Sequence, residues 1–297
     1  MIRYFRRFFE KKQSVSSGVE TAPLSDEQLQ NVTVVSTQYR PPQLLVGNAQ
    51  SVGKQREHNE DTLLSLSAVI SDGDTELPFG IFIVADGMGG HQHGEIASGV
   101  AARSMAEFLI KKLYSPLYGV NSEPQNDSLH EIMEKAVHEA QQLVTRKAPG
   151  GGTTLTAAIV IGEQVTLAHV GDSRAYFIYP DGRIQIMTQD HSLVRRLVEL
   201  GQLTEEEAAT HPQRNVLYRA IGQVEPFQPD INTYLLPHPG YMMICSDGLW
   251  GVVPQAEIFK IVTSQPNPII ACHDLVEAAN NAGGPDNISA LLVKYVN

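Results

Sequence analysis

Residues 80–95 read GIFIVADGMGGHQHGE, and the fold follows from how that stretch changes character along its length. Ile81-Phe82-Ile83-Val84-Ala85 is a continuous apolar run rich in β-branched residues, the pattern of a buried strand. It delivers Asp86 at its end, and Gly87, Gly89 and Gly90 then allow a sharp turn and a close backbone approach to a ligand. Past Gly94 the period becomes helical: Ala97, Ala101, Met105 and Leu109 share one face, with Ile96, Val100 and Phe108 beside it. The stretch therefore predicts strand, glycine-rich bend and helix, with one carboxylate at the bend. Taken alone, that Asp is equally well a turn residue.

Outward from this stretch the same arrangement recurs. Upstream, residues 46–66 place Arg56-Glu57-His58-Asn59-Glu60-Asp61 between two apolar segments, and Ser71-Asp72-Gly73-Asp74 predicts a hairpin turn into the central strand. Downstream, Ser128-Leu129-His130-Glu131 has capping-box spacing ahead of a second helix, whose apolar face is Leu129, Ile132, Met133, Ala136, Ala140, Leu143 and Val144. Residues 153–161 and 165–170 predict strands about a tight Gly162-Glu163 turn, and Pro180-Asp181-Gly182 marks another hairpin. Gly171-Asp172-Ser173 falls between adjacent strands. Short helices are expected at 192–199 and 205–209, the second opened by Thr204 and Glu207 as a capping box. Tyr241–Cys245 predicts a buried strand ending at Ser246-Asp247-Gly248. Helices near 254–263 and 267–282 then lead to Gly283-Gly284-Pro285-Asp286-Asn287 and a last strand, Ile288–Val296. Many hairpins with helices in grouped pairs predict an α+β fold with antiparallel sheets rather than a doubly wound parallel sheet.

Composition narrows the class. The chain has 297 residues, 42% hydrophobic and 19% charged, with a formal net charge of −11, which speaks against a nucleic-acid partner. Two isolated cysteines, Cys245 and Cys272, make neither a disulfide framework nor a thiolate metal site, so a reducing cytoplasm is expected. No run approaches a transmembrane helix, and no signal-peptide pattern is visible. The first twelve residues, MIRYFRRFFEKK, interleave aromatic and basic side chains, which suits weak contact with an anionic membrane surface such as the inner face of the cytoplasmic membrane; a frayed basic terminus is the plainer alternative. Residues 13–42 read as a flexible linker. The expected organisation is a basic arm and linker over 1–43 and one globular domain over 44–297.

The chemistry lies in the acids. Asp86, Asp172 and Asp247 each border an apolar segment and a glycine, Asp286 follows Gly-Gly-Pro before the last strand, and Glu60-Asp61 add two more carboxylates. If those strand ends converge, the acids repel and raise one another's pKa unless a cation neutralises them. An all-oxygen ligand set selects Mg²⁺ or Mn²⁺; His91 and His93 bring no thiolate cluster or HExxH pattern that would select zinc. Arg56 beside such a site suits bidentate phosphate binding, although an arginine taken alone is more often one half of a surface ion pair.

Arg56-x-x-Asn59-Glu60-Asp61, Asp86-Gly87-Met88-Gly89-Gly90, Gly152-Thr153-Thr154, Gly171-Asp172-Ser173-Arg174, Ser246-Asp247-Gly248 and Gly284-Pro285-Asp286-Asn287 together, in this order, resemble the protein phosphatase 2C family, most closely its bacterial branch. The resemblance spans roughly residues 46–296. It implies a four-layer α-β-β-α sandwich, two antiparallel sheets flanked by helical pairs, with the metals at one end. It implies hydrolysis of phosphoserine and phosphothreonine in proteins by a metal-bridging water, with Ser/Thr kinases and their targets as partners and a monomeric enzyme. Asp86 resembles the carboxylate bridging two catalytic Mn²⁺ or Mg²⁺ ions, and the Gly87 carbonyl a ligand of one. Asp247 and Asp286 resemble ligands of the other ion, Glu60 and Asp61 supporting acids, and Asp172 a residue holding a third, weaker ion. Arg56 matches the phosphate-binding arginine, and residues 191–222 a mobile flap. Met88 stands where animal members carry a histidine proposed as general acid.

Rival chemistries fare poorly. A cysteine-based phosphatase needs Arg six positions after its Cys, and six after Cys245 stands Gly251. A catalytically dead phosphoprotein-binding module on the same fold is opposed by intact Asp86, Asp247 and Asp286.

Overall fold

A computed structural model describes residues 41–71, 76–89, 92–119, 127–223, 227–265 and 267–297. The amino-terminal arm and most of the linker, the Asp72-Gly73-Asp74 turn, and Gly90-His91 lie outside the described residues. The chain divides into two units, residues 1–38 and 39–297, and only the second contains described residues.

Two five-stranded antiparallel sheets form the centre. One joins β10 (Asp230–Leu235), β7 (Gln164–Val170), β6 (Leu155–Ile161), β3 (Glu76–Ala85) and β2 (Thr62–Ser71) in that order. The other joins β1 (Gln43–Ser51), β12 (Ile288–Val296), β11 (Tyr241–Cys245), β8 (Arg174–Ile178) and β9 (Ile184–Ile186). A two-residue ladder, β4 (Gly87–Met88) against β5 (Gly152–Thr153), ties the glycine-rich bend to the start of the β6 hairpin.

The unbroken apolar run of β3 has a simple cause: both of its faces are buried. Phe79, Ile81, Ile83 and Ala85 pack under α1 (Gln92–Leu109) and α2 (Leu129–Lys147), whereas Phe82 and Val84 point into the core between the sheets. Strand β12 divides in the same way. Ile288, Ala290 and Leu292 face α6 (Gln255–Ser264) and α7 (Pro268–Asn281), and Leu291, Val293 and Tyr295 face the opposite sheet. The result is the expected helix-pair, sheet, sheet, helix-pair sandwich.

Local signals act as the sequence predicts. Ser128 and Glu131 make a reciprocal capping box at α2, with the Ser128 N–H donating to Glu131 at 2.7 Å. Thr204 and Glu207 do the same for α4 (Glu205–Thr210), which follows α3 (Leu193–Glu199); each such cap stabilises its helix by about 1 kcal/mol. Strand β10, an edge strand with partly exposed side chains, was not anticipated. Gly171-Asp172-Ser173 falls between consecutive strands as expected; because β7 and β8 lie in different sheets, it crosses the sandwich.

Candidate active site

The antiparallel order brings the acidic segments to one end of the sandwich. Asp86 leaves β3 where its neighbour β2 begins after Glu60-Asp61; Asp172 leaves β7, Asp247 leaves β11, and Asp286 enters β12. Asp247 also opens α5 (Asp247–Trp250).

Hydrogen bonds from neighbouring motifs fix each segment. The Asp86 N–H donates to Thr154 Oγ1 at 2.9 Å, and the Asp86 carbonyl accepts from the Thr153 hydroxyl at 2.8 Å. Asp61 is buried, and its Oδ2 accepts from both Ser246 Oγ at 2.8 Å and Ser289 Oγ at 2.7 Å. Asn287 staples the early loop to the last strand: its Nδ2 donates to the Val52 and His58 carbonyls, and its Oδ1 accepts from the Glu60 N–H, all at 2.8 Å. Asp172 is held through its backbone, where its carbonyl accepts from Trp250 Nε1 at 3.0 Å. Arg174 lies 3.5 Å over the Trp250 ring and makes two hydrogen bonds to Asp190, at 2.9 and 2.7 Å. Glu60 sits at the margin, its carboxylate occupying the space a Cβ on Gly94 would need, which explains glycine there. Gly87 is similarly enclosed by the Gly94 and Glu60 carbonyls.

Electrostatics show that these acids share one environment. Burial pushes Asp86 well above the usual carboxylate range, and the charges of Asp61, Asp247, Asp172 and Asp286 push it further. Burial likewise raises Asp61 to about 7, against the pull of the Ser289 and Ser246 hydroxyls. Burial and the charge of Asp286 raise Asp247 to about 6, with the neighbouring Asp86 carboxyl and Arg56 opposing. Asp172 is raised by burial, then by Asp247 and Asp190, with Arg174 opposing.

The acids fit a hard divalent cation. Asp61 Oδ1 and Asp247 Oδ1 are buried carboxylate oxygens with no hydrogen-bond partner among the described residues, costly unless something positive meets them. Among the described residues, no three acids, imidazoles or thiolates are closed tightly enough to hold an ion as they stand. Asp286 is drawn aside, its Oδ2 accepting from Arg56 Nη2 at 2.6 Å and its Oδ1 from the Asn287 N–H at 2.8 Å. Arg56, half-exposed, therefore binds one of the site's own carboxylates here.

The structure thus brings Asp61, Asp86, Asp172, Asp247 and Asp286 together with Arg56, and leaves Glu60 at the edge. Thr154, Ser246, Asn287 and Arg174 stood in the sequence motifs without a role assigned to them, whereas Ser289, Trp250 and Asp190 carried no signal in the sequence. Neither cysteine offers a nucleophile, since burial pushes both thiols up and away from the reactive thiolate.

A two-sheet sandwich with helix pairs outside and a carboxylate-lined end defines a class of metal-dependent phosphoryl hydrolases. The protein phosphatase 2C family model matches residues 46–288. The chain belongs to the protein phosphatase 2C family and is a metal-dependent serine/threonine phosphatase. It is 38% identical over 250 residues to protein phosphatase PhpP of Streptococcus pneumoniae, covering 82% of this chain and 94% of that one. The serine/threonine phosphatase stp of Listeria innocua is 37% identical, with 82% and 92% covered. Among solved structures, the S. agalactiae serine/threonine phosphatase superposes with a TM-score of 0.70 at 32% identity, covering 84% of this chain and 99% of that one. The catalytic domain of the phosphatase PstP, in complex with two manganese ions, gives 0.68 at 28% identity, with 86% and 99% covered.

Proposed function

We propose that Asp86, the Gly87 carbonyl, Asp247 and Asp286, supported by Asp61 and Glu60, hold two Mn²⁺ or Mg²⁺ ions, that Asp172 holds a weaker third, and that Arg56 binds the substrate phosphate. One observation carries this reading: Asp86 lies in the field of four other carboxylates. When bound, such ions supply an acidified water as nucleophile and neutralise charge on the phosphoryl oxygens. The chain's own residues prepare the ligands. Thr153 and Thr154 fix the backbone of Asp86, and Ser246 and Ser289 occupy one oxygen of Asp61 so that the other stays free. Arg56 can exchange its exposed single contact with Asp286 Oδ2 for a phosphate dianion, whose paired acceptor oxygens suit the guanidinium fork. The acids and Arg56 come from one chain, which supports a monomeric enzyme.

The substrates are phosphoserine and phosphothreonine proteins, with Ser/Thr kinases and their targets as partners by family. Hydrolysis of para-nitrophenyl phosphate and a phosphothreonine peptide with Mn²⁺, repeated in EDTA, tests the reading. Metal-dependent turnover of both is expected, and full activity in EDTA would overturn it.

Asp172 tests the weaker ion. Its charge is close to Asp86 and Asp247 but enters on a separate crossing loop. Asp172→Ala should fold, keep the Mn²⁺-induced rise in melting temperature and lose most phosphopeptide hydrolysis, by about a hundredfold. Phosphopeptide turnover equal to wild type would rule the role out.

The domain assignment, an arm and linker over 1–43 and a phosphatase domain over 44–297, carries a prediction of its own. No helix among the described residues is long and apolar enough to cross a membrane. The basic, aromatic arm supports weak attachment to an anionic surface from the cytoplasmic side, worth about 1 kcal/mol for each basic residue near the surface. Removing residues 1–40 should abolish co-sedimentation with anionic liposomes and leave small-substrate turnover unchanged. Equal co-sedimentation of the two proteins would refute the anchor.

A further inference from the structure

Residues 191–222 connect the second sheet back to β10, and both ends of this segment meet at one buried imidazole. His191 is 1% exposed and is engaged at both ring nitrogens. The Gly171 N–H points at His191 Nδ1 from 3.0 Å, and His191 Nε2 lies 3.1 Å from Asp230 Oδ2. A backbone N–H can only donate, so Nδ1 is the acceptor, and the ring proton sits on Nε2 facing Asp230. The backbone repeats the grip, since the His191 N–H donates to the Gly171 carbonyl at 2.7 Å. Arg219, from the far end of the segment, donates to Asp230 Oδ1 at 2.8 Å; its Nη1 stands 3.0 Å from Nε2, so that two donors lie side by side on the one Asp230 carboxylate. The Tyr218 N–H donates to the His191 carbonyl at 2.9 Å. His169 packs against the imidazole with ring centroids 4.9 Å apart, and itself reaches Thr156 Oγ1 at 2.9 Å.

Gly171 is the residue before Asp172. Its φ of +109°, and the 2.6 Å that would separate an added Cβ from Thr154 Cβ, show a backbone bent hard to deliver that carboxylate. The Trp250 bond holds the carbonyl side of Asp172. His191 holds the amide side.

We propose that His191 is a positioning residue for Asp172: oriented by Asp230 and Arg219, its Nδ1 fixes the Gly171 amide and with it the carboxylate at the weaker ion site. This rests on the reading that Asp172 takes part in ion binding. The residue at the base of the 191–222 segment then sets how well that ion is held, without touching ion or substrate.

Two substitutions separate positioning from mere packing. In His191→Asn the amide oxygen can stand near Nδ1 and still accept from Gly171, whereas in His191→Gln the longer side chain places its amide near Nε2 and leaves the Gly171 N–H unmatched. Amide exchange of the 168–175 peptide in EDTA should quicken by about tenfold in His191→Gln and by less than about threefold in His191→Asn, the scale of one hydrogen bond. The Mn²⁺ concentration for half-maximal phosphopeptide hydrolysis should rise by about tenfold in His191→Gln, with His191→Asn near wild type. Asp230→Asn, at a part-exposed site, should shift both measurements in the direction of His191→Gln, and it decides the matter should His191→Gln not fold. Equal impairment of the Asn and Gln variants, or wild-type exchange and Mn²⁺ dependence in His191→Gln or Asp230→Asn, would overturn the proposal. A wild-type enzyme with no metal-dependent turnover would instead overturn the underlying function, while the exchange measurements would still report on the clasp.

Discussion

Asp247→Asn should lower metal-dependent hydrolysis by about a thousandfold, the rate equivalent of about 4 kcal/mol of lost transition-state stabilisation. Asp247 neighbours Asp86 and feels the charge of Asp286, and its Oδ1 is buried without a partner among the described residues. A neutral amide there is a poorer ligand for a hard cation and removes one repelling charge. Two stability effects of opposite sign follow. In EDTA the variant should melt at or above wild type, because mutual repulsion among the acids is reduced. With Mn²⁺ it should fall behind, because wild type gains RT ln(1 + [L]/Kd), about 2.7 kcal/mol at a hundredfold excess over Kd. Arg56→Ala is the contrast. Its side chain hydrogen-bonds Asp286 and is half-exposed, so the Mn²⁺ shift should persist while KM for phosphopeptide rises. Calorimetric titration of Mn²⁺ into wild type and Asp247→Asn decides the point, and equal affinities would sink the assignment of Asp247 as a ligand.

The stabilisation by Mn²⁺ should grow steeply with pH. Burial and neighbouring acids raise Asp61 to about 7 and Asp247 to about 6 in the fold, against about 3.9 for an unfolded aspartate. A carboxyl with a raised pKa binds its proton more tightly when folded. Its contribution to stability is complete below the unfolded pKa and is lost as pH rises through the folded one. Between pH 5 and pH 7.5 the protein in EDTA should therefore lose stability on the order of several kcal/mol. Divalent ions must displace those same protons, so they bind poorly at pH 5 and well at pH 7.5. Asp230 does not confuse the measurement. Its carboxyl is lowered to about 2, first by the His191 hydrogen bond, so its linkage is lost only below the unfolded aspartate range. Melting curves in EDTA and in saturating Mn²⁺ at the two pH values test this. A metal-induced shift no larger at pH 7.5 than at pH 5 would show that Asp61 and Asp247 do not titrate where the ions bind.

The sequence by itself determined the parts whose cause is local. The β3 run, the helical period after Gly94, the capping boxes at Ser128 and Thr204 and the hairpin about Gly162 are set by residues a few positions apart, and each appears where its pattern lies. The placing of acids at strand ends was legible for the same reason: an Asp after an apolar run and before glycines marks an end wherever the strand goes. Edge strand β10 escaped notice because it packs on one neighbour and leaves Leu235 71% exposed, so no apolar alternation marks it. Tertiary structure alone decided which strand ends meet. The hydroxyl of Ser289 reaches Asp61 across 228 positions of chain, and Asn287 reaches His58 across 229. It also decided that Gly171-Asp172-Ser173 crosses between sheets, that Arg56 rests on Asp286, and that His191, Asp230 and Arg219 close on one another. Those contacts depend on sheet order and on layers packed about 10 Å apart, quantities that no window of neighbouring residues contains.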